Sequence, residues 1–190
     1  MSRTMLMIWY VAMALCAFSS NGLTQSSAPA LQPEKAGDHP SFVFSDIETA
    51  LRRNSHVPLR LPSFLPYVDQ EHPIHAIVQA AGSSGYKILL ATVLPCEGQN
   101  NCSYGSLRGS TSPITLESKS GVPVNLRGKI KGKFIKSVCH AYCSEAIVQW
   151  HEGGFYYAIG IKAESKNVLM RVANSAIPIG GVPTPQPQKR

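Results

Sequence analysis

Hydrophobic positions along this chain change their period several times, and each change marks an element. The first run, Leu6 to Phe18, is apolar on every side for 13 residues. That falls short of the roughly 20 residues a spanning helix needs, and it has the size of a secretory leader core behind the positive Arg3. Ala17 and Ser19 place small residues where a leader peptidase reads them, so residues 1–19 are expected to be a signal peptide. Ser, Gln, Ala, Pro and Gly then dominate residues 20–40, a composition too polar to offset its own ordering entropy. A disordered linker is expected there, and a Pro-rich tail of the same kind over 178–190. The 137 residues between, 41–177, make one domain of ordinary size.

Within that domain Ser45-Asp46-Ile47-Glu48 has the spacing of a capping box opening a short helix. VPLRLPSFLP follows, where Val57, Leu59 and Leu61 alternate with Pro58, Arg60 and Pro62; prolines cannot donate to a ladder, so this is at best an edge strand. Richness in apolar and β-branched residues then predicts strands in IHAIVQA and YKILLATVL, separated by GSSG at hairpin length. Further short strands are predicted in YGSLRG, PITLES, VPVNL and GKFIKSV. EAIVQWHEGGFYYAIGIK reads as a hairpin, with Ala146, Val148 and Trp150 on one face and His151-Glu152-Gly153-Gly154 as the turn. Val168, Leu169, Val172, Ala173, Ala176 and Ile177 form an apolar stripe at helical period, stopped by Pro178. The expected fold is α+β: an antiparallel sheet of six to eight short strands, with a short N-terminal helix and a C-terminal amphipathic helix packed on it.

Export alters the cysteine arithmetic. Five cysteines are odd, but loss of Cys16 with the leader leaves Cys96, Cys102, Cys139 and Cys143, and an even set outside the cytoplasm reads as disulfides. Cys16 also stands where a lipoprotein carries its lipid, although Leu15 replaces the small residue usual before it. Chain entropy gives about 2 kcal/mol for each short local loop and about 4 for a crossed pairing. Local geometry selects the clasps Cys96–Cys102 and Cys139–Cys143 instead, because a five-residue hairpin loop and a single tight turn bring each pair within bonding range. Crossed pairing is the alternative.

Other cysteine chemistry fits less well. Cys139-x3-Cys143 has zinc-ligand spacing, but Cys96-x5-Cys102 does not. With a downstream histidine the first pair also resembles exported copper chaperones and the binuclear copper site of respiratory oxidases. Here, however, it lies late in the chain between two strands, and His151 comes eight residues after Cys143 rather than four. Only Met170 remains as a thioether after leader removal. A copper, zinc or redox carrier using Cys139 and Cys143 is kept as the alternative function, and no cofactor is expected.

Loss of Arg3 takes the basic residues from 18 to 17 against 11 acidic ones, a formal charge of +6. Such a chain is drawn to anionic polymers or lipid headgroups. RGKIKGKFIK places Arg127, Lys129, Lys131 and Lys133 at every second residue, one face of a strand. That stripe is either an anion-binding surface or an edge charged against aggregation. Alternation assigns most of Trp150, Phe155, Tyr156 and Tyr157 to the core, with Tyr156 on the opposite face. No basic-aromatic interleave predicts specific nucleic-acid binding. GSLRG around Ser106 lacks the spacing of a nucleophile elbow. A hydrolase would need Asp69, His72 or His75 gathered with a serine or a carboxylate, and that is the second alternative; no catalytic residue is expected.

The order LPSFLP, Cys96-x-Gly98-x-Asn100-x-Cys102, Cys139-x3-Cys143, then IVQW running into HEGGFYYAI resembles a family of uncharacterised exported bacterial proteins over most of 57–177. The W-x-E-G-G-x-x-Y hairpin and ANSAI are similar to a domain of unknown function found beside envelope anti-sigma factors. Neither resemblance implies an activity. Together with the residues above they point to an exported, disulfide-clasped, non-enzymatic binding or structural module of the bacterial envelope, engaging anionic polymer or lipid headgroups through its cationic strand.

Overall fold

A computed structural model describes residues 40–68, 71–115 and 121–179. The expected leader with Cys16, all of the linker but Pro40, the tail beyond Ile179, Asp69 and Gln70, and residues 116–120, which include 116–118 of the expected strand PITLES, lie outside these.

Seven strands form one antiparallel sheet in the order β1-β2-β3-β7-β6-β5-β4. They are β1 (His75–Gly82), β2 (Gly85–Ala91), β3 (Ser103–Ser110), β4 (Val122–Asn125), β5 (Lys131–Ile135), β6 (Glu145–Glu152) and β7 (Phe155–Lys162). With α1 (Ser45–Asn54) and α2 (Lys166–Ala176) this is the α+β fold expected from the pattern. Strands β1 to β3 make one meander and β4 to β7 another. The chain leaves β3, reaches the far edge at β4 and works back inward until β7 pairs with β3, Leu107 opposite Ile159. The face shared by all of β2, β3 and β5 to β7 therefore joins residues from two separate sequence blocks.

Alternation decides the two faces. Ile88, Leu90, Leu107, Phe134, Val148, Trp150, Tyr157, Ile159 and Ile161 point to the helices and form the main core with Leu51, Leu169 and Val172. Burying each such side chain contributes on the order of 1.5–3 kcal/mol relative to exposure. Helix α2 begins where the Ser165 hydroxyl accepts the Val168 N–H at 3.4 Å. It ends at Ala176, where Ile177 turns extended ahead of Pro178, whose ring disfavours helical backbone before it.

Three local expectations need correction. The capping box is absent: a 3-10 turn, Phe42–Phe44, runs straight into α1, so Ser45 is already helical at φ −52° and ψ −44°. A capping residue must be non-helical; the Ser45 hydroxyl donates instead to Phe42 O, and Glu48 accepts from Arg52 at 2.9 Å. VPLRLP joins no strand, and its backbone donors go to side chains: Arg60 N–H to the Tyr86 hydroxyl at 3.0 Å and, further on, Phe64 N–H to Ser175 Oγ at 3.2 Å. Last, His151 and Glu152 belong to β6, and Gly153-Gly154 alone make the turn, both at positive φ where glycine is unstrained.

Under the Pro-rich segment lies a buried polar cluster. Arg60 Nε and Nη2 donate to the two carboxylate oxygens of Glu152 at 2.9 and 3.2 Å, with 6% and 8% of the two side chains exposed. The guanidinium carbon sits 5.5 Å from the Tyr157 ring centroid, and Trp150 Nε1 donates to Glu152 Oε2 at 3.4 Å. Burial, reinforced by the Glu152 charge and only partly offset by Arg60, pushes the Tyr157 phenol up to about 12. Burial raises Tyr86 as well. Tyr86 has room for its ring because Gly109, directly opposite it, has no Cβ; one there would lie 2.3 Å from the ring.

Candidate anion-binding face

The sheet face away from the helices carries a different set of side chains. One cross-strand row can be followed pair by pair: Lys133 opposite Gln149, Gln149 opposite Ala158, Ala158 opposite Arg108, and Arg108 opposite Lys87. Four strand spacings of about 4.8 Å make this row about 19 Å long. The neighbouring row contains Lys131, His151, Tyr156 and Ser110, with His151 and Tyr156 paired on β6 and β7 and their ring centroids 4.6 Å apart. Lys131 is exposed and donates to Asn125 Oδ1 at 2.7 Å.

Among the described residues, no carboxylate stands in either row. Among the described residues neither Lys87 nor Arg108 meets an acidic partner, although they face each other directly. Like charges at opposed positions destabilise a ladder. No helix of the described residues covers this band. Pro113 and Ile114, on the segment leaving β3, bound a groove of about 270 Å³ over Lys131, Lys133, Gln149, His151 and Tyr156.

The stripe expected from the sequence is only half formed. Arg127 and Lys129 lie in a 3-10 turn, Arg127–Lys129, with Gly128 and Lys129 at positive φ, so every-second-residue spacing does not bring them onto the strand face. Arg127 serves the helix end instead: its N–H donates to Asn174 Oδ1 at 2.7 Å and Nη1 to Ile177 O at 3.2 Å. Lys131 and Lys133 remain on β5. The partners that complete the band, Lys87 and Arg108, were missed. Each is the polar residue in an alternating run, beside Tyr86 and Ile88 or beside Leu107, and that was the available signal.

Both disulfides link local pairs. Cys96 and Cys102 have Cα atoms 5.8 Å apart, but they do not face each other across the ladder. Pairing closes at Ala91 opposite Ser103, Thr92 N–H reaches Cys102 O at 2.8 Å, and Cys96 folds back. The bond is buried with Leu89, Ala91 and Ile77 at the far end of the open face. Lys162 Nζ ties this loop to β7 through Asn100 O at 2.7 Å, and partial burial lowers that lysine's pKa while Glu145 opposes the shift. Cys139 and Cys143 close a tighter loop, with Cα atoms 3.9 Å apart. Paired sulfurs of this kind indicate an oxidising, non-cytoplasmic compartment, and they offer no thiolate to a metal while joined. Among the described residues no three His, Cys, Asp or Glu side chains gather at metal-binding distance. Nor is any described helix long and apolar enough to cross a membrane. His72 precedes β1 and His75 begins it, while Asp69, their expected companion, lies outside the described residues.

No family model, curated protein or solved structure matches this chain.

Proposed function

We propose that this chain is a non-catalytic binding module of an extracytoplasmic compartment, and that it holds an anionic ligand on the open face of its sheet. The observation that carries this reading is the juxtaposition of Lys87 and Arg108 at directly opposed positions, with no acidic partner for either among the described residues, and Lys133 further along the same row. An unpaired like-charge contact weakens the folded state, and an anion laid across it relieves that repulsion. The leader-like run of Leu6–Phe18 and the two disulfides support an exported protein whose sulfurs brace loops. A net positive charge assists encounter with any polyanion, so the test must separate the band from overall charge.

Retention on immobilised polyphosphate along a salt gradient makes that separation. Lys87→Glu/Arg108→Glu and Arg53→Glu/Lys166→Glu change net charge equally, but Arg53 and Lys166 are exposed on the two helices. The band variant is expected to elute near the void at low salt, while the helix variant stays close to wild type. Equal loss in both variants would show that only net charge matters and would refute the site.

A further inference from the structure

We infer that the ligand of this face is an acidic polysaccharide, held with one sugar ring against Tyr156 and its acidic groups on the flanking cations; the inference rests on the anion-binding reading above. Three features of the band select this class.

The first is shape. Cations stand at both ends of the row, Lys133 at one and Arg108 with Lys87 at the other, while Ala158 leaves the middle low. A single small anion would use one end only, whereas a flat chain with repeated acidic groups reaches both across about 19 Å.

The second is the chemistry between the cations. Gln149 offers both an amide donor and a carbonyl acceptor, His151 and Ser110 can each do the same, and Tyr156 adds a ring and a hydroxyl. Sugar hydroxyls need donors and acceptors together, and the C–H face of a pyranose packs on an aromatic ring. A polyphosphate, which has acceptors only, leaves the Tyr156 ring and the Gln149 carbonyl without use. The groove of about 270 Å³ beside Pro113 and Ile114 is open and ring-sized, below the usual range for enclosed small-molecule pockets.

The third is placement. Lys87, Arg108, Gln149 and Tyr156 lie toward the end of the sheet that carries the Gly153-Gly154 turn. Of the exposed apolar residues, Val93, Leu94, Val138 and Tyr142 sit at the disulfide loops at the opposite end, and Val122 lies on the edge strand β4, on the same side of the sheet as buried Val124. A bilayer-binding surface sets such side chains beside its cations so that both engage one interface; here the loop residues stand several positions along the strands from the cations of the row, and Val122 turns to the other face. Single-stranded nucleic acid stacks successive bases on several aromatic rings, and this band presents Tyr156 tilted at 44° to His151 as its one ring pair.

Calorimetry on the disulfide-intact chain tests the inference, with oligogalacturonate, a neutral galactan oligosaccharide of equal length, polyphosphate, single-stranded DNA and phosphatidylglycerol vesicles as probes. Oligogalacturonate is expected to bind most tightly, and the neutral oligosaccharide at least about tenfold more weakly, because charge-assisted bonds are lost. Tyr156→Ala is expected to weaken oligogalacturonate about threefold or more and to weaken polyphosphate less, since no ring contact is lost there. Lys87→Gln/Arg108→Gln is expected to weaken both about tenfold. Polyphosphate, DNA or vesicles binding as tightly as oligogalacturonate, or indifference to Tyr156→Ala, would overturn the sugar assignment and leave the anion site standing. Indifference of every anion to Lys87→Gln/Arg108→Gln, or no anion binding at all, would remove the site and this inference together. Cooperative thermal unfolding of each variant, at a midpoint no lower than wild type for Lys87→Gln/Arg108→Gln, guards against misfolding as the cause.

Discussion

Lys87 on β2 and Arg108 on β3 face each other directly on the open side of the sheet, two cations that meet no acidic partner among the described residues. A ladder position of this kind lowers stability, and opposite or neutral partners would raise it. Lys87→Gln is therefore expected to stabilise the fold by a few tenths of a kcal/mol, within the roughly 0.2–1 kcal/mol range of cross-strand pairs, while weakening anion binding. Urea unfolding of the two proteins checks this, with an unchanged slope showing that the unfolded states are comparable.

The opposite face presents the contrasting case, a buried pair that is fully matched. Glu152 receives two guanidinium bonds from Arg60 and one from the Trp150 indole. Glu152→Gln leaves a buried guanidinium without its counter-charge and is expected to cost about 3 kcal/mol. Arg60→Leu/Glu152→Leu removes both charges and is expected to recover most of that loss. Denaturant midpoints of the single and double variants measure the difference; a double variant as unstable as the single would contradict the electrostatic account.

Helix and strand positions were legible in the sequence because alternation and helical period report burial directly. The stripe of α2 and the β6–β7 hairpin follow from Leu169, Val172, Val148 and Tyr157 each falling on the core side. The site was legible in part only. Period shows that Lys87, Arg108 and Lys133 leave the core side of their strands, but strand order decides that they share one row, and the β3–β7 junction joins residues about 50 positions apart. Gly128 misled the reading of RGKIKGK: its positive φ turns the chain and removes Arg127 and Lys129 from the strand. Ser45 misled for a similar reason, since the preceding 3-10 turn makes it helical before it could cap.

Alkaline pH bears on the buried tyrosines. Tyr157 is raised from 10.0 to about 12 by burial first, and Tyr86 and Tyr104 are raised by the same cause. A folded-state pKa above the unfolded one means that the native state holds its proton while the unfolded state loses it. Stability contributed by these groups is complete below pH 10.0 and falls as pH rises toward about 12. Denaturant unfolding across that window should show a declining midpoint, and the share of phenolate absorbance that comes from the buried tyrosines should appear together with unfolding. Ionisation of all the tyrosines before unfolding would contradict this.

The two disulfides differ in surroundings more than in loop length. Each short loop is worth about 2 kcal/mol by the chain-entropy estimate. Cys96 and Cys102 are 7% and 4% exposed and pack with Leu89 and Ala91, while Cys139 lies in an exposed loop. Cys96→Ala/Cys102→Ala is expected to destabilise the fold by more than Cys139→Ala/Cys143→Ala, because it also removes buried sulfur from a packed cluster. Thermal unfolding of the two double variants ranks them directly.

Amide-resolved NMR titration of the disulfide-intact chain with oligogalacturonate tests the central claim most directly, since it reports which face meets the ligand. The account predicts shifts at Lys87, Arg108, Lys133, Gln149 and Tyr156, spanning both meanders, with α1 and α2 unmoved. Shifts centred on Arg52 and Arg53 of α1, or saturating addition without any shift on the open face, would contradict it.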